Sequence, residues 1–215
     1  MNNNLSDNTL KSYAEIVRCN AMSNNITNDT LKKYARIASE AFMTNPGYVL
    51  SCADENKRKD FIYNVVLMRL YISRKTDIFY FDKEGRGMLV LRKAGMGYPT
   101  GEVLKVPNIF GLLKNMSYVS KLLSVTGAYS DKGLYDEEKT YIVSPVFVDV
   151  NHQGKGVGTA LLKKAVEDMT AKGCKVGLDT MEPSNVPYYE NLGFRLIDTQ
   201  VNEENDATSW YMLHE

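Results

Sequence analysis

The chain has 215 residues, enough for one large domain or one domain with an appendage, and 44% of its side chains are apolar, ample for a packed core. Its 26 basic and 26 acidic side chains cancel, and no basic run occurs, which excludes a nucleic-acid footprint. No stretch approaches the ~20 uninterrupted apolar residues of a membrane helix, so no membrane partner is expected. Cys19, Cys52 and Cys174 are scattered, no Cys-x-x-Cys occurs, and the histidines are His152 and His214 alone. Neither a disulfide framework nor a metal site is expected. The opening MNNNLSDN has no basic segment followed by an apolar one, so it does not read as a signal peptide, and the expected location is the cytoplasm.

Residues 1–24 read as an N-terminal helical extension to a domain spanning 25–215. The extension carries an internal echo: LSDNTLKSYAEIV resembles ITNDTLKKYARIA, which sets Leu5 over Ile26, Leu10 over Leu31, Tyr13 over Tyr34 and Ile16 over Ile37. Each copy opens on polar capping residues and continues with apolar residues at helical spacing. Two copies are too few for a solenoid. The second predicts a helix from about Asp29 to Met43; the first predicts another, either a packing extension or an arm that would allow a homodimer. Asn45-Pro46-Gly47 breaks the pattern. Helical spacing resumes from about Glu55 to Lys75, with Phe61, Val65, Met68 and Ile72 on one stripe. TDIFYFD and GMLVLRK then predict two strands joined at Lys83–Gly87 as a hairpin. Phe79, Tyr80 and Phe81 alternate faces, so core packing is the plain expectation and a cavity lining the other.

Residues 94–139 read as an insertion. Gly95, Gly97, Pro99, Gly101 and Pro107 mark turns, and a helical stretch with Ile109, Leu112, Leu113, Met116 and Leu123 follows. Long insertions in compact domains are often functional. This one either roofs a binding groove or shields the sheet.

From Tyr141 the pattern changes. YIVSPVFVDV is a β-branched run that predicts a buried strand. Gly154, Gly156 and Gly158 follow at once, and a helix begins beside them with Leu161, Leu162, Ala165, Val166 and Met169 on one face. Strand, glycine turn and helix start make an anion site, because free N–H groups point outward and the helix dipole favours negative charge. The glycines let phosphate oxygens approach the backbone. A P-loop is excluded because Gly156 follows Lys155 where Lys-Ser/Thr is needed. A dinucleotide loop is excluded because Thr159 or Leu161 stands at its last position. CKVGLDT predicts the next strand, with Cys174 a small core residue at its start. After Gly193 two closing strands are expected, Phe194–Val201 and Thr208–Leu213.

The run Gln153-Gly154-Lys155-Gly156-Val157-Gly158 fits Gln/Arg-x-x-Gly-x-Gly/Ala, and Asn185, Tyr189, Gly193 and Phe194 fit Asn-x-x-x-Tyr-x-x-x-Gly-Phe downstream. Together they resemble the GCN5-related N-acetyltransferase (GNAT) superfamily, which binds acetyl-coenzyme A. The wording of this segment looks most like the branch containing the puromycin N-acetyltransferases. The likeness covers residues 141–200 and is architectural elsewhere.

The resemblance implies an α/β fold of α+β type, with a central mixed sheet flanked by helices and splayed central strands. It implies acetyl-CoA as cosubstrate and direct transfer of acetyl to the amine of a small molecule. Gly154 to Thr159, with Lys155 and Val157 between, would bind the pyrophosphate, and Gln153 opens that loop. Phe147 and Val148 would pair with the pantetheine arm, and the Val148 N–H would polarise the thioester carbonyl. Asn185 would contact the coenzyme arm and Tyr189 would be the general acid. Plainer roles stay open: a cap for Asn185, a core place for one of Tyr188 and Tyr189, a surface place for His152. Tyr141–Val148 lacks the carboxylate that serves some family members as base, which leaves ordered water, Glu137, Glu138, a carboxylate of the insertion, or an acceptor amine that is already partly neutral. O-acetylation, acetylation of proteins or peptides, and a non-catalytic coenzyme-binding sensor module are the alternatives.

Overall fold

A computed structural model describes residues 16–19, 26–97, 100–127 and 131–215. Its centre is a seven-stranded sheet: β1 (Ile16–Cys19), β2 (Ile78–Asp82), β3 (Gly87–Lys93), β4 (Thr140–Val148), β5 (Lys175–Thr180), β6 (Arg195–Val201) and β7 (Thr208–His214). The spatial order is β1-β2-β3-β4-β5-β7-β6. Only β4 and β5 run parallel; the other neighbours are antiparallel.

Among the described residues three helices precede β2: α1 (Asn28–Ala41), α2 (Pro46–Ser51) and α3 (Glu55–Ser73). Each starts where a side chain caps it. Thr27 Oγ1 accepts from the Thr30 N–H at 3.1 Å, Asn45 Oδ1 from Gly47 at 3.1 Å and Asp54 Oδ1 from Asn56 at 3.0 Å. Pro46 stands in the first turn of α2, where no N–H is needed. The α2–α3 corner is held by Arg58, buried with its guanidinium donating to the carbonyls of Cys52, Met43 and Ala53 at 2.6, 2.8 and 2.8 Å.

Side chains alternating along β2 and β3 enter two cores. Phe79, Met88 and Val90 join Leu31, Tyr34, Ala38, Ile62 and Leu67 beneath α1 and α3. Tyr80, Leu89 and Leu91 join residues of α6 (Val157–Thr170) and α7 (Asn185–Glu190) on the other face. The aromatic run of β2 is therefore core: Phe79 and Tyr80 are fully buried.

Two expectations are corrected. Where the first helix of the echo was expected, Ile16–Cys19 is a strand paired with β2. Ile16 and Val17 are β-branched, and the outer edge of β2 offers unpaired backbone groups. Leu5, Leu10 and Tyr13 lie outside the described residues. Second, α3 is not a one-stripe helix: Ile62, Val66, Leu67 and Leu70 are buried along with Phe61, Val65 and Ile72, because the insertion covers its other side.

The insertion holds a 3-10 turn (Thr100–Lys105), α4 (Ile109–Lys114) and α5 (Met116–Gly127), two helices broken at Asn115 in place of one. Asn115 Nδ2 donates to Asp60 Oδ2 at 3.0 Å and to the Gly111 carbonyl at 2.8 Å. Leu112 and Val125 are buried; Leu113, Met116 and Leu123 face outward. Further on, the buried Tyr135 lies over Gly177 of β5, its hydroxyl donating to the Leu178 carbonyl at 2.9 Å. A Cβ on Gly177 would sit 2.5 Å from that ring. Gly177→Ala is expected to cost about 1–3 kcal/mol, roughly 2–10 °C in Tm for a domain of this size; an unchanged melting temperature would show that the ring can give way. Among the described residues no helix is long and apolar enough to cross a membrane.

Candidate active site

The site begins where β4 and β5 part. They pair only at Thr140–Lys175, Tyr141–Val176 and Ile142–Gly177. On its other side β4 meets β3 with a register shift: Val143 to Val146 lies against Leu91 to Leu89, one residue more on β4. The extra residue falls at Ser144–Pro145. A bulge bends its strand, and proline has no N–H to give a ladder. Beyond Ile142, β4 turns from β5 and opens a wedge, with Val143–Val148 on one wall and Leu178–Thr180 on the other.

The glycine loop closes the end of that wedge. Gly154 and Gly156 have φ of 71° and 80°, the left-handed region where a side chain is strained, and Gly156 is the N-cap of α6 without a side-chain cap. The first N–H groups of α6, at Val157, Gly158 and Thr159, therefore have no helical acceptor and no cap. A Cβ on Gly154 would meet nothing within 4 Å. Open space before uncapped N–H groups suits a phosphate. Gln153 Nε2 donates to the Val148 carbonyl at 3.2 Å, tying the loop to the end of β4. Lys155 is exposed and turned back, Nζ donating to the Asn151 carbonyl at 2.8 Å. The Phe147 ring is anchored among Tyr34 and Phe42, with centroids 6.4 and 5.7 Å away, in the core beneath α1.

Helix α7 brings the two tyrosines to different places. The Tyr188 hydroxyl is 3.2 Å from Thr159 Oγ1, over the start of α6. Tyr189 is buried against Leu178 and Phe194, yet its hydroxyl has no hydrogen bond among the described residues and is not sealed from solvent. Burial, then the neighbouring Tyr188 and Asp179, push its phenol well above the ordinary range, so it is neutral and a proton donor at pH 7. Asn185 is not the cap of α7; Ser184 holds that position, and Asn185 Nδ2 donates to Thr180 Oγ1 at 3.2 Å at the end of β5.

Residues not expected in the site line the wedge as well. Asp179 stands two positions past the last β4–β5 pair and opposite Tyr211 of β7. It keeps accessible surface, yet burial is the main cause raising its carboxyl above the usual range. Both are true of a group on the floor of a cleft, reachable by a small molecule and ringed by protein. The Arg69 guanidinium, from α3, opposes that rise, and its Nη2 donates to Ser144 Oγ on β4. In the sequence, Asp179 shows only as a carboxylate ending the apolar run VGL at the carboxyl end of a parallel strand, where ligands tend to bind. Arg69 shows only as one charge inside VVLMRLYIS.

The carboxylates first considered as bases lie elsewhere. Glu137 and Glu138 are exposed in the turn before β4, at the paired end of β4 and β5, away from the wedge. His152 sits in the 3-10 turn Val150–His152, 3.7 Å from Asp149, on the approach to the glycine loop. Among the described residues no cluster of His, Cys, Asp and Glu could hold a metal ion.

Residues 117–194 match the model of the Acetyltransferase (GNAT) family. That segment is less than half of the chain, and over it the chain is similar to GNAT-family proteins. Glucosamine 6-phosphate N-acetyltransferase of Trypanosoma brucei brucei is 43% identical over 60 residues, which are 27% of this chain and 40% of that enzyme. The chain thus aligns with less than half the length of that relative. Among solved structures, a protein assigned to the GNAT acetyltransferases from Desulfovibrio desulfuricans superposes over 94% of this chain and 99% of its own, with a TM-score of 0.52 at 15% identity. Aminoglycoside 6'-acetyltransferase type Ii does so over 93% and 95%, with a TM-score of 0.51 at 12% identity. These establish the GNAT fold for the whole architecture. The particular likeness to the puromycin N-acetyltransferase branch has no counterpart among these matches.

Proposed function

We propose that this GNAT protein transfers an acetyl group from acetyl-CoA directly to the amine of a small molecule. The observation that carries the reading is the wedge between β4 and β5, opening beside an uncapped helix start with two left-handed glycines. In this reading the N–H groups of Gly154–Thr159 bind the pyrophosphate, with the Tyr188 hydroxyl beside them. The free edge of β4 at Phe147 and Val148 aligns the pantetheine arm as an added strand would, and the Val148 N–H polarises the thioester carbonyl. Asn185 borders the arm from the end of β5. Tyr189 protonates the departing thiolate, work that suits a neutral phenol.

The insertion favours a compact acceptor over a protein chain. A Cβ on Gly47 of α2 would lie 3.2 Å from Met181 Sδ, just past β5, and 3.8 Å from Leu122 of α5. At the other end of α5 the Val125 carbonyl accepts from Asn202 Nδ2, between β6 and β7, at 3.3 Å. Helix α5 thus bridges α2 and the β6–β7 turn across the far end of β5, as a roof over the wedge. The sugar amine in the name of the Trypanosoma relative is an acceptor of this size class, as are the antibiotics of the puromycin branch that the segment 141–200 resembles.

Coenzyme A at one hundred times its Kd is expected to stabilise the protein by about 2.7 kcal/mol, roughly 5–11 °C in Tm. Free thiol release from acetyl-CoA with a panel of small amines, and not with peptides, is the expected activity. Absence of any shift at millimolar coenzyme would remove the glycine-loop assignment. Stabilisation without turnover on any acceptor would favour a coenzyme sensor.

A further inference from the structure

Direct acetyl transfer requires a neutral amine, while most primary amines are protonated at pH 7. The β4 segment Tyr141–Val148 carries no carboxylate, and Glu137 and Glu138 lie at the wrong end of the strands. One carboxylate does stand on the wall of the wedge. Asp179 follows Leu178, beyond the point where β4 has left β5, and it is accessible. Other carboxylates near the sheet are already engaged: Asp82 accepts two bonds from the Arg86 guanidinium at 2.8 and 2.9 Å, Asp168 accepts from Lys164 at 2.8 Å, and Asp77 accepts from Thr76 at 2.7 Å. Among the described residues no side-chain donor is hydrogen-bonded to Asp179. The charged and titratable groups that face it come from every element around the wedge: Arg69 of α3, Asp131 and Tyr135 before β4, Tyr189 of α7 and Tyr211 of β7. Tyr189, the expected acid, feels its charge directly. An acid and a base are thus within electrostatic reach of each other at the wedge.

Resting on the acetyl-transfer reading above, we propose that Asp179 accepts the proton of the acceptor's ammonium group. The balance is as follows. The Asp179 carboxylate takes one proton from R–NH3+, leaving R–NH2. The nitrogen lone pair forms the C–N bond to the thioester carbonyl carbon, and the C–S bond breaks. Tyr189 gives its proton to the departing sulfur and regains one from the nitrogen, which must lose a second proton to become the amide. Asp179 returns its proton to solvent as products leave, so one R–NH3+ and one acetyl-CoA give one amide, one free thiol and one H+. The Arg69 guanidinium opposes the upward shift that burial imposes on Asp179. A raised carboxyl is also a stronger base once ionised than an ordinary aspartate.

The test compares the full-length protein and its Asp179→Asn variant with two small probe nucleophiles, methylamine and hydroxylamine. The first is protonated at pH 7 and needs a base; the second is already neutral and does not. The variant is isosteric, and its melting curve and coenzyme A affinity by calorimetry are recorded alongside. The expected result is a fall of about 100-fold or more in thiol release with methylamine, with the hydroxylamine rate and coenzyme affinity held. The acid limb of the methylamine pH profile should vanish in the variant, and Asp179→Glu should restore part of the rate. Equal loss with both nucleophiles, loss with neither, or wild-type protein that binds coenzyme and consumes neither would overturn the proposal while leaving the coenzyme site standing. No coenzyme binding by the wild type would overturn the acetyl-transfer reading itself.

Discussion

Tyr189→Phe is expected to reduce acetyl transfer about 100- to 10,000-fold while leaving coenzyme binding within about threefold of the parent. The phenyl ring keeps its packing against Leu178 and Phe194 and its contact with Tyr188, whose centroid is 5.2 Å away. Only the hydroxyl is lost, and no hydrogen bond among the described residues depends on it. Structural damage is therefore small, and the effect should fall on kcat and not on KM for acetyl-CoA. Tyr188→Phe is the contrasting variant. Its hydroxyl meets Thr159 at the glycine loop, so its removal should weaken coenzyme binding modestly and leave the chemical step intact. Single-turnover thiol release together with calorimetry separates the two. A Tyr189→Phe enzyme within tenfold of the parent rate would remove the phenol from the acid role.

Gly156→Val is expected to weaken coenzyme A binding by roughly thirtyfold, the equivalent of about 2 kcal/mol. At φ of 80° a β-branched side chain is strongly disfavoured. Relief of that strain requires the turn to rotate, and the N–H groups of Val157–Thr159 rotate with it. Because α6 has no side-chain cap, no capping side chain holds those donors in place. Lys155→Ala is the control: its ammonium is exposed and bonded back to Asn151, so a change of about threefold or less is expected. If the lysine variant loses more affinity than the glycine variant, charge and not backbone geometry holds the anion.

Much of the architecture was legible because local signals and tertiary demands agree. The apolar run of β3 is a strand buried on both faces and that of β4 a strand half-buried at Tyr141, Ile142, Val146 and Val148, and α6 begins at the glycines because a left-handed turn and an uncapped helix start need no side chain. Asn185, Tyr189, Gly193 and Phe194 are close in sequence, so one short helix and its following turn place them together. The sequence by itself therefore determined the proposed coenzyme half of the site, whose parts lie within one strand–loop–helix unit and its successor. The proposed acceptor half depends on tertiary structure alone. Asp179, Arg69 and Ser144 come from β5, α3 and β4: Arg69 bonds to Ser144 and acts on Asp179 through its charge, where β4 has parted from β5. No spacing records that meeting, since the contact depends on how two parallel strands diverge. The edge strand β1 is of the same kind: Ile16–Cys19 carries a helical echo, and the open edge of β2 outweighs it. So is the position of α5, whose Val125 carbonyl accepts from Asn202, a residue far from it in the chain.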